Sequence, residues 1–167
     1  VSAGEALNVP VYEAWMNGTG LRIYEGYGQT ETVCCVANLR NRNEEIRPGS
    51  MGKPTPGYDV RIVDNLGRPL PPNTEGNIAI AVSPRRPVGL FKEYMNSPQE
   101  TADRFINGYY LTGDTGRCDA EGYLWFCGRS DDVINSSSYR IGPTEVEDAL
   151  LTHPAVLECA AIGVPDE

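Results

Sequence analysis

Apolar and polar positions change their period several times along the chain, and each change marks an element. Between Asn8 and Asn17, Val11, Ala14 and Trp15 recur at i, i+3 and i+4, which puts them on one face of a helix. Asn8 is placed to cap that helix, Pro10 falls in its first turn, and Gly18 and Gly20 end it. Leu21-Arg22-Ile23-Tyr24 then alternates as a strand and runs into Glu25-Gly26-Tyr27-Gly28. A strand that feeds a glycine-containing loop is where an open α/β sheet holds its ligands. From Ile46 to Gly89, Pro and Gly recur every few residues between short strand-like runs, Val60–Val63 and Gly76–Val82, with Asp64-Asn65-Leu66-Gly67 as a turn. That texture predicts a small, twisted β-subdomain.

Ser97-Pro98-Gln99-Glu100 reads as a capping box with Pro at the first helical position, opening a helix to about Phe105 that Asn107-Gly108 stops. Tyr109–Thr112 and Tyr123–Phe126 read as short strands. Val133-Ile134-Asn135 and Tyr139-Arg140-Ile141 read as two strands around a serine turn. Pro143 opens a helix to about Leu151 with Val146, Ala149 and Leu150 on one side, and Val156 to Val164 reads as a final strand. A hairpin, a helix and one strand are half of a small α/β unit with uncovered edges. The chain is therefore expected to be an internal segment of a longer protein.

Composition narrows the functional classes. At 167 residues the chain is about one domain, or one and a piece. With 40% hydrophobic and 22% charged residues it can build a packed core. A net charge of −9 argues against a nucleic-acid-binding module. No apolar run is long enough to span a bilayer. Charge is uneven: residues 84–167 hold seven basic and 14 acidic side chains, and residues 143–167 hold six acids with no Lys or Arg. That last stretch reads as a solvated face and a different unit. Five cysteines, Cys34, Cys35, Cys118, Cys127 and Cys159, show no CxxC spacing. Buried reduced thiols are expected rather than a disulfide framework or a zinc site.

Four short stretches offer chemistry. Tyr27-Gly28-Gln29-Thr30-Glu31 brings an aromatic face, a bare backbone, a hydroxyl and a carboxylate, the elements a Mg²⁺-nucleotide needs. An ordinary strand-to-loop turn with a solvent-facing Glu has the same pattern. Tyr110-Leu111-Thr112-Gly113-Asp114 puts a carboxylate just past a strand, suited to two ribose hydroxyls. In Gly128-Arg129-Ser130-Asp131-Asp132, Arg129 is a fork for phosphate or ribose oxygens, or one half of a surface ion pair. Asn135 to Gly142 supplies a polar turn, a ring and an arginine, and is equally a hydrophilic hairpin loop. Trp15, Trp125 and Phe126 read as core, His153 as a helix-end residue and Arg85-Arg86 as a solvated pair. Cys34-Cys35 reads as buried thiols in a strand, with an acyl pocket as the other place for them.

Taken in order, these stretches resemble one family, the adenylate-forming acyl-CoA synthetases and luciferase-like enzymes. The phrases YEGYGQTET, GRPLPPNTEGNIAI, YYLTGD, EGYLWFCGRSDDVINSSSYRIGPTEVE and HPAV resemble its medium-chain branch, and the likeness covers essentially the whole chain. The resemblance implies an α/β fold: the end of a large N-terminal domain, sheet strands plus a small twisted β-subdomain, over 1–130, then the hinge and the start of a small α+β C-terminal lid domain over 131–167. It implies an ATP-dependent acid–CoA ligase that makes an acyl-adenylate from a medium-chain fatty or aromatic acid and passes the acyl group to coenzyme A, with Mg²⁺ as cofactor. Gly4 and Glu5 would lie against adenine. Glu25, Gly26, Tyr27, Gly28, Gln29 and Thr30 would form part of the ATP site, with Tyr27 stacking on the base and Thr30 near the phosphates. Glu31 would be the Mg²⁺ ligand, Asp114 would bind ribose, Arg129 ribose or phosphate, and Asp131 would be the hinge. Ser137, Ser138 and Tyr139 would line the pantetheine path, with Arg140 near the acyl or phosphate end. The resemblance also implies a mitochondrial matrix location, typical of such synthetases in animals, with any targeting segment outside these residues.

Three departures qualify this expectation. The family's Gly-, Ser- and Thr-rich phosphate loop and its catalytic lysine have no counterpart in these residues, so the 167 residues alone are expected to complete no ligase reaction, keeping at most weak nucleotide binding. Ser138 stands where the family usually has Gly, which predicts a weakened thioester step. Another adenylate-forming activity is the remaining alternative, against which the turn with Arg140 favours thioester formation over oxidation.

Overall fold

The computed structural model describes residues 1–40, 45–136 and 139–164. They form a mixed α/β arrangement in which two sheets meet over one core. The first sheet has the order β1 (Ser2–Ala3), β2 (Glu25–Gln29), β3 (Val33–Ala37), β4 (Lys53–Pro54). β1 and β2 are parallel, so the chain crosses between them through helix α1 (Val9–Thr19); β3 and β4 add antiparallel. Gly20 closes α1 in the left-handed region at φ 70°, its N–H on the Met16 carbonyl.

Two expectations about this segment are corrected. Asn8 precedes α1, but its side chain makes no cap bond and its Oδ1 is buried without a partner among the described residues. Trp15 is not core: it is 47% exposed, Val11 is exposed too, and Tyr12 is the buried residue of the helix.

Leu21–Tyr24 is irregular, and the ladder starts one step later, where Glu25 pairs with Ser2 and Gly26 with Ala37. The glycines expected to loop are therefore inside a strand. Gly28 belongs there because a Cβ would fall 1.7 Å from the Val33 carbonyl oxygen.

The second sheet contains β5 (Val60–Val63), β6 (Gly76–Ala81), β7 (Phe105–Ile106), β8 (Tyr109–Cys118) and β9 (Leu124–Arg129), all antiparallel neighbours. Asp64 shapes the β5–β6 turn by accepting the N–H of Leu66 and of Arg68, each at 2.9 Å. Helix α2 (Pro98–Asp103) precedes β7, and Ser97 does not form the capping box; Thr101 instead donates its hydroxyl to the Ser97 carbonyl at 3.0 Å. Cys35, Val36 and Met51 pack against Val60, Ile62, Ile78, Ile80, Tyr110 and Leu124. Each fully buried aliphatic side chain contributes about 1.5–3 kcal/mol. The sheets are stitched by Met51 N–H to the Leu124 carbonyl and Leu124 N–H to the Gly52 carbonyl, both 2.9 Å.

Beyond β9, β10 (Ile134–Ser136) and β11 (Tyr139–Ile141) pair as a hairpin and lead into α3 (Pro143–Leu151). The strand expected from Val156 to Val164 does not form: the segment has no ladder partner among the described residues, and Leu157 and Ile162 are exposed. The cysteines are free thiols, but only Cys35 is fully buried, where burial pushes its pKa up to about 12; Cys34, on the opposite face of β3, is exposed. Trp125 and Phe126 are half-buried, Trp125 under the Arg117 guanidinium at 4.5 Å. Arg86 is more than a solvated pair member: it donates to the carbonyls of Phe91 and Lys92.

Candidate functional site

The site forms where the β2–β3 hairpin meets β8. Strand β8 continues through Thr112-Gly113-Asp114, where its register with β6 shifts and Gly113 takes φ 83°; Asp114 pairs with Arg129 of β9, so it stands within the β8–β9 ladder and not beyond it, and it is 5% exposed. Tyr27 donates its hydroxyl to Asp114 Oδ2 at 2.6 Å, and Gln29 Nε2 donates to the same oxygen at 2.8 Å. Both donors lie on β2, more than 80 residues away in sequence. Asp114 Oδ1 lies 3.7 Å from Arg129 Nη1. Burial holds the Asp114 carboxyl above the usual carboxylate range, against the pull of Tyr27, Arg129 and Gln29. Burial and then the Asp114 charge push the Tyr27 phenol up, so it stays a donor.

Gln29 Nε2 also donates to the Thr112 carbonyl at 3.0 Å. Both its partners are acceptors, so the amide orientation is fixed and Oε1 points elsewhere. That Oε1 is buried and has no partner among the described residues. A buried acceptor without a donor beside a carboxylate with a spare oxygen suits a hydroxyl- or amino-bearing ligand. ATP, whose ribose and adenine carry such donors, fits this pair.

Glu31 sits in the hairpin loop Thr30–Thr32. The loop is closed by Gln29 N–H to Thr32 Oγ1 at 2.8 Å and Thr32 N–H to the Gln29 carbonyl at 3.1 Å. Thr30 is exposed, and Thr32 is buried with its carbonyl on the Tyr58 hydroxyl. Val33 leaves the loop at φ 56°, a left-handed conformation that a β-branched residue rarely adopts. Glu31 Oε1 accepts from the Tyr94 hydroxyl at 2.8 Å, and its carbonyl accepts from Phe91 N–H at 2.7 Å. Oε2 has no partner among the described residues. No group of three or more His, Cys, Asp or Glu that could hold a metal occurs among the described residues. One carboxylate with a spare oxygen fits Mg²⁺ bound jointly with substrate phosphates, the usual way that ion is held.

Arg129 ends β9 and forks onto Asp131, Nε to Oδ1 at 2.9 Å and Nη2 to Oδ2 at 3.0 Å. The shared hydrogen bonds raise the Arg129 pKa and lower that of Asp131. Ser130 ties the same turn to β8, its N–H and hydroxyl both donating to the Gly113 carbonyl at 2.8 Å. One arginine thus connects Asp114 to Asp131.

Gly4 and Glu5 lie on the β1 side of the sheet, just past the Ala3–Gly26 pairing, beside an open cleft of about 550 Å³. Glu25 is buried there and accepts Leu7 N–H at 3.1 Å; burial raises its pKa against that bond. Ser137 and Ser138 lie outside the described residues; Tyr139 and Arg140 pair across the hairpin with Ser136 and Asn135. The structure so gathers Tyr27, Gln29, Asp114, Arg129 and Asp131 in one linked group, with Glu31 at the neighbouring hairpin loop. Sequence reasoning missed Thr112, whose carbonyl orients Gln29, and Tyr94, which holds Glu31. Neither carries a local signal, because each acts across more than 60 residues.

Residues 1–95 match the AMP-binding enzyme family, and residues 145–167 match the AMP-binding enzyme C-terminal domain. The chain is 54% identical over 166 residues to acyl-coenzyme A synthetase ACSM3, mitochondrial, of Mus musculus, and 55% identical to acyl-coenzyme A synthetase ACSM5, mitochondrial, of Rattus norvegicus. In both cases 99% of this chain is covered but only 28% of the relative's length. Among solved structures, the anthranilate CoA ligase AuaEII in complex with anthranoyl-AMP superposes with a TM-score of 0.84 at 38% identity, over 98% of this chain and 30% of that one. The O-succinylbenzoate coenzyme A synthetase of Bacillus subtilis, in complex with ATP and magnesium ion, superposes at 0.83 and 32% identity, over 99% of this chain and 33% of that one.

Proposed function

We propose an activity on one premise: the chain belongs to the AMP-binding enzyme family. The whole protein activates a medium-chain fatty or aromatic carboxylic acid with ATP, releasing pyrophosphate, and transfers the acyl group from acyl-AMP to coenzyme A. The observation that carries this reading is the Asp114 carboxylate, buried, with Oδ2 filled by Tyr27 and Gln29 and Oδ1 left to accept. Oδ1 takes the ribose hydroxyls, and Gln29 Oε1 takes a further donor from the nucleotide. Tyr27 offers its ring to the base while its hydroxyl is occupied, with Gly26, Gly28 and the Gly4-Glu5 segment as the bare backbone around adenine. Thr30 lies toward the phosphates, and Arg129 toward the ribose or the phosphates. Glu31 holds Mg²⁺, which when bound neutralises the negative charge gathered as a carboxylate approaches the α-phosphate.

The second half-reaction needs a different opening of the site. Residues 1–130 belong to the large domain and 131–167 to a lid that turns about Asp131. The Arg129–Asp131 fork lies at that boundary, and both side chains are exposed enough for it to break and re-form. Ser137, Ser138 and Tyr139 then line the pantetheine path, with Arg140 toward the acyl or phosphate end. Relatives that bear the word mitochondrial support a mitochondrial site of action. Among the described residues no helix is long and apolar enough to cross a membrane.

The test is pyrophosphate–ATP exchange by the full-length protein with Mg²⁺ and a panel of acids from butyrate to dodecanoate plus benzoate. Acid-dependent exchange, followed by thioester on adding coenzyme A, is expected. Exchange with none of the acids, from protein that binds ATP, would overturn the reading.

A further inference from the structure

Glu31 is held at two points by a single segment. Its carbonyl accepts from Phe91 N–H at 2.7 Å and its Oε1 from the Tyr94 hydroxyl at 2.8 Å. The segment is itself anchored. Tyr94 N–H donates to Thr101 Oγ1 at 2.9 Å, and Thr101 donates onward to the Ser97 carbonyl at 3.0 Å. Arg86 donates to the carbonyls of Phe91 and Lys92 from the other side. The rings of Phe91 and Tyr94 meet at 4.7 Å, and Phe91 packs edge-on against buried Tyr110 at 5.4 Å. Tyr94 therefore cannot swing freely, and its hydroxyl is presented to one carboxylate oxygen from a fixed direction.

That arrangement has a consequence for the other oxygen. A carboxylate whose Oε1 is bonded to a fixed donor loses rotation about its terminal torsion, so Oε2 is aimed instead of sampling a cone. We propose that Tyr94 is a positioning residue for the Mg²⁺-nucleotide: by fixing Glu31 Oε1 it pre-aims Oε2 at the cation. The proposal rests on the reading of Glu31 as the metal-binding carboxylate. Tyr94 acts on the cation through Glu31, in the manner of groups behind a metal ligand whose loss costs 10- to 100-fold in metal affinity.

The measurement is Mn²⁺ binding to the ATP-loaded full-length protein, followed by the electron paramagnetic resonance of free Mn²⁺, for wild type, Tyr94→Phe, Glu31→Gln and the double variant. Tyr94→Phe is expected to weaken Mn²⁺ binding about tenfold. Glu31→Gln should weaken it at least as much, and the double variant no more than Glu31→Gln alone. ATP affinity without metal should stay within about twofold in Tyr94→Phe, a readout that general loosening of the site would shift. p-Aminophenylalanine at position 94 keeps a donor at the same place and should restore the wild-type value; if Tyr94→Phe does not fold, this variant decides alone. Wild-type Mn²⁺ affinity in Tyr94→Phe beside a weakened Glu31→Gln would overturn the positioning role while leaving the metal reading intact. Fully additive losses, or p-aminophenylalanine as weak as Phe, would also overturn it. An unchanged Glu31→Gln would remove the metal reading itself, and the positioning role with it.

Discussion

Asp114 keeps a carboxylate in a place where burial opposes its charge, and the opposing contacts from Tyr27, Arg129 and Gln29 do not cancel that opposition. A carboxyl whose folded-state pKa is raised adds stability below its unfolded pKa and loses it as pH climbs through the folded value. Ionised Asp114 therefore destabilises the fold at neutral pH, while under the proposed function a charged acceptor would bind the ribose hydroxyls more strongly than a neutral one. Asp114→Asn should behave accordingly. In urea titrations its stability relative to wild type should improve between pH 4 and pH 7. Its ATP affinity should fall by about tenfold or more, the scale of hydrogen bonds to a charged group, read by calorimetry at pH 7. A stability difference that does not change with pH would contradict the burial argument.

At the scale of the element, the β2–β3 hairpin is built around one close approach. Val33 takes a left-handed conformation, which costs about 1–2 kcal/mol for a residue with a Cβ. Its carbonyl oxygen then occupies the space a Cβ at position 28 would need, with the Val33 carbon at 2.6 Å and the Cys34 Cα at 2.9 Å from that point. All three obstacles are backbone, so no side-chain rotation relieves them. Gly28→Ala should destabilise by about 3 kcal/mol or more. Gly18, inside α1 with nothing within 4 Å of its missing Cβ, is the contrasting case: Gly18→Ala should stabilise by up to about 1 kcal/mol. Urea midpoints of the two variants measure both, and the sign must differ between them. The same hairpin shows how far local pattern reaches. Leu21–Tyr24 alternates as well as any strand, yet pairing begins at Glu25, because a ladder exists only where two neighbours supply its partners.

Across the whole molecule, the Arg129–Asp131 ion pair joins the β8–β9 sheet to the segment that follows. Asp131 has 63% of its side chain exposed, so the pair adds under about 1 kcal/mol. Asp131→Ala should leave the urea midpoint of the full-length protein nearly unchanged. If the lid turns there, the same variant should alter the ratio of thioester formation to pyrophosphate exchange severalfold. Both half-reactions slowed equally would argue for a role of Asp131 in the nucleotide site alone.

The sequence by itself determined several of the elements and offered the residue types of the candidate site. Val60–Val63, Asp64–Gly67, Gly76–Ala81 and Pro143–Leu151 all form where the pattern predicts them or within a residue of it, since turn chemistry and helix starts are decided by neighbours a few residues away. Tyr27, Gln29, Glu31, Asp114 and Arg129 were legible as residue types that suit a Mg²⁺-nucleotide. Only the tertiary structure decided which atoms are free to serve. It filled Asp114 Oδ2, left Gln29 Oε1 without a donor among the described residues, and gave Glu31 Oε1 to Tyr94. It also turned Trp15 outward and left Val156–Val164 without a ladder. Those outcomes depend on contacts between residues far apart in the chain, where burial and hydrogen-bond partners are set by packing and no local period records them.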